Sequence, residues 1–213
     1  MIRRHLLNTF CALVFIGLAV CVGVAAGSIV DKRVAQYQRS AVVRIQVGDG
    51  LGSGVHIGHG YILTAAHVVR NQSSIVVRAE AGGTATARLL WLNEGKDVAL
   101  LKVDLDLGTA HLDCRVPKVG ESIEAVGNPL SFEFVHTFGK VAGGLRNAGD
   151  IEEVFLASLA VAPGMSGGPV FDSDGRLVGI VSALMMWSNM MSSAPLAVSF
   201  IVPGKTICGL LGR

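Results

Sequence analysis

The feature that most constrains the fold of this chain is a succession of short runs rich in β-branched residues, each ended by glycine or another turn residue. Such runs favour β-strands, and strands at short, regular spacing are typical of all-β sandwiches and barrels. Six runs precede a polar link around 108–120, and six follow it. The predicted strands are 41–47, 52–57, 61–64, 74–79, 84–91, 98–103, 122–127, 134–143, 153–159, 168–171, 176–183 and 197–202. The sequence therefore predicts an all-β fold, built as two small barrels or a sandwich.

The composition agrees with a folded, turn-rich domain and excludes two broad classes of protein. Glycine accounts for 27 of the 213 residues, which suits many tight turns. Because 51% of the residues are hydrophobic and only 16% are charged, the chain is not intrinsically disordered. The net charge is +2 and no run of Lys or Arg exceeds two residues, so no nucleic-acid partner is expected.

The N-terminus carries an apolar segment of the kind that directs export. Arg3 and Arg4 precede an uncharged stretch, 6–30, whose apolar heart is the 17 residues of 10–26. That length is at the short end of what a membrane-spanning helix needs, so we expect one N-terminal hydrophobic helix. Segment 1–30 is then either a cleaved signal peptide or an uncleaved anchor with its N-terminus in the cytoplasm.

Both interpretations place the rest of the chain in the same compartment. Residues 31–40 are polar and are expected to form a linker, and residues 31–213 are expected to lie outside the cytoplasm, on the periplasmic side of a cell envelope. The membrane is a partner only if the segment stays uncleaved.

The strongest chemical signal is the glycine-rich stretch 163–169, with Ser166 at its centre. Glycines let a backbone turn sharply and approach a substrate closely. The N–H groups of Gly164 and Ser166 could then point at one spot and stabilise a carbonyl oxygen as it becomes negative. This pattern predicts a serine nucleophile with a backbone oxyanion hole, against the alternative of an ordinary glycine-rich turn.

Two further residues could activate that serine. His67 follows the predicted strand 61–64, and histidine, which titrates near neutral pH, suits a general base. Asp97 stands directly before four apolar residues, where its carboxylate could accept the second ring N–H of His67. A core histidine and a turn aspartate are the alternatives. We interpret His67, Asp97 and Ser166 as a catalytic triad.

At these residues the chain resembles the trypsin-like serine peptidases, and within that group the HtrA/Deg type. The resemblance covers roughly residues 40–211, with the triad in the expected order His, Asp, Ser. The motifs that carry it are TAAHVV around His67, DVALLKV from Asp97, PGMSGGPVFDSDGRLVGIVS around Ser166, GSGVHIGHGYILTAAHVV at 52–69, AVGNPL at 125–130 and VSFIVPGKTI at 198–207.

The resemblance implies a peptidase domain over 41–213, made of two six-stranded antiparallel barrels with the active site between them. Barrel one would span about 41–107 and barrel two about 115–213. The implied enzyme acts on polypeptides without a cofactor, and homo-oligomers are usual for the group. Because the chain ends about where the peptidase domain ends, no PDZ domain is expected. Met165 replaces the usual Asn or Asp, which need not abolish activity since the oxyanion donors are backbone groups.

The resemblance also predicts a substrate preference. In the resembled fold the residue six before the serine, here Ala160, lies at the floor of the pocket for the residue before the cut. Without an acidic residue there, a basic side chain would be buried unpaired at a cost of several kcal/mol. We therefore expect small or medium aliphatic residues in this pocket. One wall is expected from Ile180, Val181, Ser182 and Ala183.

Two of the four cysteines lie in regions that some trypsin-like members tie together. Cys114 is in the link between the halves, and Cys208 is in a predicted last helix over 204–211. In an oxidising compartment a disulfide between them is plausible. Two separate buried thiols are the alternative.

Two weaker features remain. His56 and His59 invite a metal interpretation, but they lack the further ligands that a structural zinc takes, so no metal is expected. The methionine-rich segment 184–196 is predicted to be a loop that could touch substrate, a second subunit or the membrane, with plain packing as the alternative.

The sequence thus predicts a serine endopeptidase that cleaves envelope or secreted proteins through an acyl-enzyme. The rival hypothesis is a catalytically silent binding or adaptor module at the membrane. A third is a peptidase held inactive until a partner binds. The complete triad argues against the silent module, because a lapsed enzyme is free to lose any of the three residues.

Overall fold

The computed structural model describes residues 40–130, 132–188 and 193–213, and for 184–188 and 193–197 it describes the backbone. The predicted N-terminal helix and most of the predicted linker 31–40 lie outside the described residues. Within those described ranges, no helix has the length and apolar character needed to cross a bilayer.

The first half of the domain forms a closed six-stranded antiparallel barrel. Its strands run around the barrel in the order β1-β2-β3-β6-β5-β4, and β1 closes the sheet by pairing with β4. A four-residue helix, α1 (Ala66–Val69), follows the third strand. The strands are β1 (Val42–Val47), β2 (Gly50–His56), β3 (Tyr61–Thr64), β4 (Ile75–Ala79), β5 (Thr84–Asn93) and β6 (Val98–Lys102).

The second half forms another closed barrel of six antiparallel strands, in the order β10-β11-β12-β9-β8-β7. It is followed by a short helix, α2 (Gly204–Leu210), which begins directly after Pro203. The strands are β7 (Ser122–Gly127), β8 (Val135–Ala148), β9 (Ile151–Ser158), β10 (Pro169–Asp172), β11 (Leu177–Ser188) and β12 (Ser193–Pro203).

These two sheets confirm the prediction of an all-β fold with two six-stranded barrels. The loop predicted at 184–196 is wrong for most of its length. Strands β11 and β12 continue into this region as a hairpin, with Met186 paired to Pro195 and Trp187 to Ala194. Strand pairing with a neighbour outweighs the weak β-propensity of this polar and methionine-rich stretch.

Three apolar clusters hold the barrels, and their layout follows strand alternation. On β1 the side chains of Val43 and Ile45 point into the first barrel, whereas Val42 belongs to a cluster between the barrels. Phe155 is fully buried within the second barrel. Members of the cluster between the barrels include Val55, Leu63 and Leu100 from the first barrel and Val126, Phe171, Ile180 and Val202 from the second. Burial of each such side chain contributes roughly 1.5–3 kcal/mol, so the barrels are packed as one unit along this seam.

The link between the barrels is fixed by one arginine and one disulfide. Arg115 donates hydrogen bonds to Glu121 at 2.7 Å, to Asp172 at 2.9 Å and to Asp113 at 3.0 Å. The bond to Glu121 raises the pKa of the Arg115 guanidinium above its usual value. A disulfide joins Cys114 to Cys208, which ties the link to α2 across 94 residues of sequence.

Candidate active site

His67 and Asp97 meet at the edge of the first barrel. His67 lies on α1 directly after β3, and Asp97 lies directly before β6 with a positive φ of 51°. The His67 Nδ1 atom is 3.0 Å from Asp97 Oδ1 and 2.9 Å from Oδ2, and the His67 backbone N–H donates to Oδ1 at 3.0 Å. Because a carboxylate only accepts, Nδ1 carries the proton and Nε2 is free to act as a base. The Asp97 side chain is 5% exposed and that of His67 is 41% exposed, so the buried carboxylate orients an accessible imidazole.

A serine from the second barrel completes the surroundings of this carboxylate. The Ser182 hydroxyl donates to Asp97 Oδ2 at 2.5 Å, and both side chains are buried. Sequence reasoning expected Ser182 only as a pocket wall. Ser182 lies at an irregularity in the pairing of β11 with β12, between Val181 and Ala183, so strand alternation gives no signal for this contact.

Ser166 lines the same cleft as His67, and its hydroxyl is hydrogen-bonded to another group. It donates to the carbonyl oxygen of Ser182 at 3.3 Å, and in the described part of the chain it makes no hydrogen bond to His67. A half-exposed serine changes rotamer on the picosecond to nanosecond scale. A rotation about one side-chain bond therefore suffices to turn the hydroxyl away from Ser182.

The backbone N–H groups of the loop before β10 fall into two sets. Those of Met165, Gly167 and Gly168 donate to the carbonyl oxygens of Ala162, Val181 and Met165 at 3.0, 2.7 and 2.9 Å. Those of Gly164 and Ser166 donate to none of the described residues. Buried N–H groups are nearly always paired, so two free donors on either side of one residue are available for a ligand oxygen.

This loop approaches the first barrel so closely that glycine is required at its centre. Gly167 has a φ of +82°, and a Cβ there would collide with the Thr64 hydroxyl and the Ser53 carbonyl. On the other side of Ser166, Met165 is 1% exposed and packs in the apolar core of the second barrel. That packing explains an apolar residue where the resembled group usually has Asn or Asp.

A cleft of about 780 Å³ runs along the seam of the barrels and is lined by residues of both. Of the predicted pocket residues, Val181, Ser182 and Ala183 line it together with His67, Asp97 and Ser166. Ala160 is exposed outside the lining, and Ile180 is fully buried in the core between the barrels, so neither is brought to the cleft. The lining residues that sequence reasoning did not foresee are Ala66, Arg70, Glu94, Gly95, Asp150, Ile151, Val161, Ala162 and Pro163.

An ion-pair tether joins the barrels beside the cleft. Lys96, next to Asp97, lies 2.9 Å from Glu152 and 3.0 Å from Glu153, and the Glu152 N–H donates to the Gly95 carbonyl at 2.7 Å. The hydrogen bond to Glu152 raises the pKa of Lys96, and the hydrogen bond from Lys96 lowers the pKa of Glu153. The tip of the β8–β9 hairpin is thereby held against the turn that presents Asp97.

His56, considered above as a metal ligand, uses both ring nitrogens on backbone groups. Its Nδ1 lies 2.6 Å from the Gly108 carbonyl, and its Nε2 accepts the Gly60 N–H at 2.9 Å. The imidazole thus fastens the β2–β3 turn to the link between the barrels.

Comparison with known proteins identifies the family to which the chain belongs. The model of the trypsin-like peptidase domain matches residues 52–180, which include all three candidate catalytic residues. The chain is 32% identical over 180 residues to Protease Do-like 1, chloroplastic, of Arabidopsis thaliana, and 37% identical over 165 residues to a probable periplasmic serine endoprotease DegP-like of Pseudomonas fulva. These alignments cover 79% and 75% of this chain but 40% and 34% of the relatives, so the chain spans little more than a third of their length.

A solved structure gives the same answer at the level of the fold. The HtrA-type protease AlgW, determined with a tripeptide, superposes with a TM-score of 0.76 at 26% identity. The match covers 85% of this chain and 62% of that one.

Proposed function

Because the chain belongs to the trypsin-like peptidases, and among them to the HtrA/Deg type, we propose that it is a serine endopeptidase that hydrolyses polypeptides with His67, Asp97 and Ser166. The observation that carries the proposal is one cleft lined by the oriented imidazole of His67 and by Ser166, in a loop whose Gly164 and Ser166 N–H groups have no partner among the described residues. That combination is what acyl transfer to serine requires.

The reaction begins when the Ser166 hydroxyl turns from Ser182 toward His67. Nε2 takes the hydroxyl proton while Oγ attacks the substrate carbonyl carbon, and the carbonyl π bond opens to an oxyanion. Asp97 stabilises the imidazolium through the Nδ1 hydrogen bond. The imidazolium then gives its proton to the leaving amine as the C–N bond breaks, which leaves an acyl-enzyme. Water, activated by His67, hydrolyses that ester and restores the Ser166 hydroxyl.

The oxyanion is held by the N–H groups of Gly164 and Ser166. Their freedom from other partners among the described residues supports this role. The Pro163 carbonyl, which points opposite to the Gly164 N–H in a trans peptide, is bound by the Leu130 N–H at 2.9 Å and so is kept out of the hole. Each such donor contributes on the order of 10²–10³ in kcat.

The substrate preference rests on the small and apolar residues of the cleft. Val161, Ala162, Val181 and Ala183 line it near Ser166, and they replace Ala160 as the residues that set the pocket. Small or medium aliphatic side chains before the cut fit such walls. Cleavage of a peptide library would show this preference, and a dominant preference for Arg or Lys would exclude it.

The site of action is proposed to be outside the cytoplasm. The apolar segment 10–26 and the periplasmic relative support this location, with envelope or secreted polypeptides as substrates. The intact mass of the chain from the cell distinguishes a cleaved signal peptide from an anchor. Sedimentation of the purified protein determines whether it forms the homo-oligomer that is usual for the group.

The test of the activity is casein turnover by the full chain beside a Ser166→Ala variant, together with labelling by a fluorophosphonate. Loss of the nucleophile should lower turnover on the order of 10⁶-fold and abolish labelling. Labelling of the unaltered chain without turnover would indicate a narrow substrate range or a missing activator. Neither signal, in folded protein, would favour the silent binding module.

A further inference from the structure

A buried polar pair, Ser53 and Asn128, lies directly behind the loop that carries Ser166. The Ser53 hydroxyl donates to the Gly164 carbonyl at 2.7 Å. It accepts the Asn128 backbone N–H at 2.9 Å and the Asn128 side-chain Nδ2–H at 3.0 Å. A hydroxyl has one proton to donate and two lone pairs, so all of its hydrogen-bonding capacity is used. Both residues are 0% exposed, and neither lines the cleft.

The orientation of the Asn128 amide is fixed on both sides. Its Nδ2 also donates to the Val43 carbonyl at 3.3 Å, and its Oδ1 accepts the Phe134 N–H at 3.1 Å. The pair therefore links three separate parts of the fold: β1, β2 and the segment after β7. A fully satisfied buried network of this kind rigidifies the groups it joins.

What the network holds is the pair of carbonyl groups on either side of the Gly164 N–H. Segment 128–130 binds the Pro163 carbonyl directly, through the Leu130 N–H at 2.9 Å, and the Gly164 carbonyl indirectly, through Ser53. A peptide flip between Pro163 and Gly164 would turn the N–H away from the oxyanion and put a carbonyl oxygen in its place. The two anchored carbonyls oppose that flip.

Backbone conformation shows that this contact is tightly constrained. Leu130 has a φ of +54°, which a residue with a branched side chain rarely adopts. Gly164 has a φ of +99°, and a Cβ on it would collide with the Asn128 carbonyl. Strained residues persist where the surrounding structure over-determines them, as at the edges of functional sites.

We propose that Ser53 and Asn128 are positioning residues that keep the Gly164 N–H aimed at the oxyanion. The proposal rests on the proposed peptidase function. In this role the pair orients the N–H group that binds the oxyanion in the transition state. It does not bind substrate, and it does not serve the general stability of the fold. Removing the Ser53 hydroxyl should therefore lower kcat and leave KM nearly unchanged.

The chain offers a matched control in Ser199. This serine is also 0% exposed, and its hydroxyl also donates to a backbone carbonyl, that of Leu159, at 2.9 Å. Ser199→Ala thus removes a buried hydroxyl of the same kind, from the second barrel instead of the first and away from the Gly164 carbonyl. A general loss of stability would affect both variants alike.

The experiment compares Ser53→Ala and Ser199→Ala in the full chain, with kcat and KM on one peptide substrate and the thermal midpoint of each. We expect Ser53→Ala to lose about 10- to 100-fold in kcat, less than the ~10²–10³ of a lost donor, with KM within about twofold. Ser199→Ala should keep kcat within about twofold. Equal kcat in the two variants, or a loss confined to KM, would overturn the proposal.

A second variant and a crystal structure keep the experiment decisive if Ser53→Ala fails to fold or the chain shows no activity. Asn128→Ala, which spares the Ser53 hydroxyl, carries the same expectation with a smaller fall in kcat. If neither variant folds under conditions where Ser199→Ala folds, the pair serves the fold and the proposal is wrong. If the unaltered chain shows neither turnover nor labelling, the peptidase function fails. A crystal structure of Ser53→Ala then still decides: a Pro163 carbonyl released from Leu130 supports the positioning role of the pair, and an unchanged loop refutes it.

Discussion

The site has two halves, the pair His67 and Asp97 (the first half) and the loop around Ser166 (the second half), and they are held in different ways. Asp97 and His67 are fixed by side-chain hydrogen bonds, three of them converging on one buried carboxylate from the His67 ring, the His67 backbone and Ser182. The loop around Ser166 is fixed by its backbone, which bonds to Ser53, Val181 and Leu130. The first half is assembled, whereas the Ser166 hydroxyl is still engaged with the Ser182 carbonyl.

This difference indicates which substitutions each half tolerates. A side-chain change without a change in volume can disable the first half while leaving the fold intact. The second half depends on close backbone approach and on the Ser53 hydroxyl, so added volume as well as loss of that hydroxyl should disturb it. The predictions below separate the two kinds of support.

The largest effect should follow from Asp97→Asn, which strikes the first half. The amide would present a donor or a weaker acceptor to His67 Nδ1, so the imidazole loses its fixed tautomer and its partner charge. We expect kcat to fall about 10⁴-fold, with KM changed little. Asp174→Asn, at an exposed ion pair with Arg176, is the control and should keep full activity. A fall of less than tenfold for Asp97→Asn would mean that the carboxylate does not orient the base.

A variant without the disulfide tests a contact that belongs to neither half of the site. Replacing Cys114 and Cys208 together by Ala frees a loop that the cross-link closes over 94 residues. Chain entropy sets the loss in unfolding free energy at no more than about 4–5 kcal/mol. Denaturant unfolding measures it. Because neither cysteine touches the cleft, kcat at low temperature should be unaffected, and a large drop in kcat would show that the link does position the site.

Gly167→Ala should disturb the second half through volume alone. Its Cβ would meet the Thr64 hydroxyl and the Ser53 carbonyl, at a φ that L residues avoid. Overpacking and backbone strain together should lower the unfolding free energy by about 3 kcal/mol. Gly120→Ala is the matched control, since Gly120 has a φ of +92° and open space around it. If the two variants lost equal amounts of unfolding free energy, backbone strain alone would explain both losses. The loop around Gly167 would then be less tightly packed than described.

The smallest effect concerns the tether between the halves. Glu153 has a lowered pKa and Lys96 a raised one, so their mutual stabilisation is lost as pH falls through the former or rises through the latter. Lys96→Met should therefore reduce stability between the usual values of 4.5 and 10.5, and the difference should vanish at more extreme pH. The loss should not exceed about 1 kcal/mol because the carboxylates are half exposed. Lys140 is an exposed lysine with no ion pair among the described residues, so Lys140→Met should leave stability unchanged over the same pH range.

Local patterns were sufficient to predict an all-β fold of short strands and to choose the candidate catalytic residues, and the resemblance supplied the arrangement in two six-stranded barrels. Period-two runs mark the strands, and a glycine-flanked serine marks a loop with free N–H groups. The wall of the cleft could not be obtained in this way. Ile180 and Ser182 both lie on β11, yet only the packing of two barrels decides that Ile180 is core and that Ser182 reaches Asp97.

Long-range hydrogen bonds were likewise hidden in the sequence. Ser53 and Asn128 are separated by 75 positions, and nothing in either motif indicates that one hydroxyl joins both to Gly164. The rotamer of Ser166 is also a property of the folded site, because the Ser182 carbonyl that binds it lies 16 positions further along the chain.

The most direct test of this two-part site is a structure of the full chain after reaction with a peptidyl phosphonate. We predict phosphorus on Ser166 Oγ, which has turned away from Ser182, and a phosphoryl oxygen bound by the N–H groups of Gly164 and Ser166. The backbone of 163–168 and the bonds between His67 and Asp97 should be unchanged. A rearranged loop with the Pro163 carbonyl released from Leu130 would show that the loop around Ser166 is not preassembled. Phosphorus on another residue would show that Ser166 is not the nucleophile.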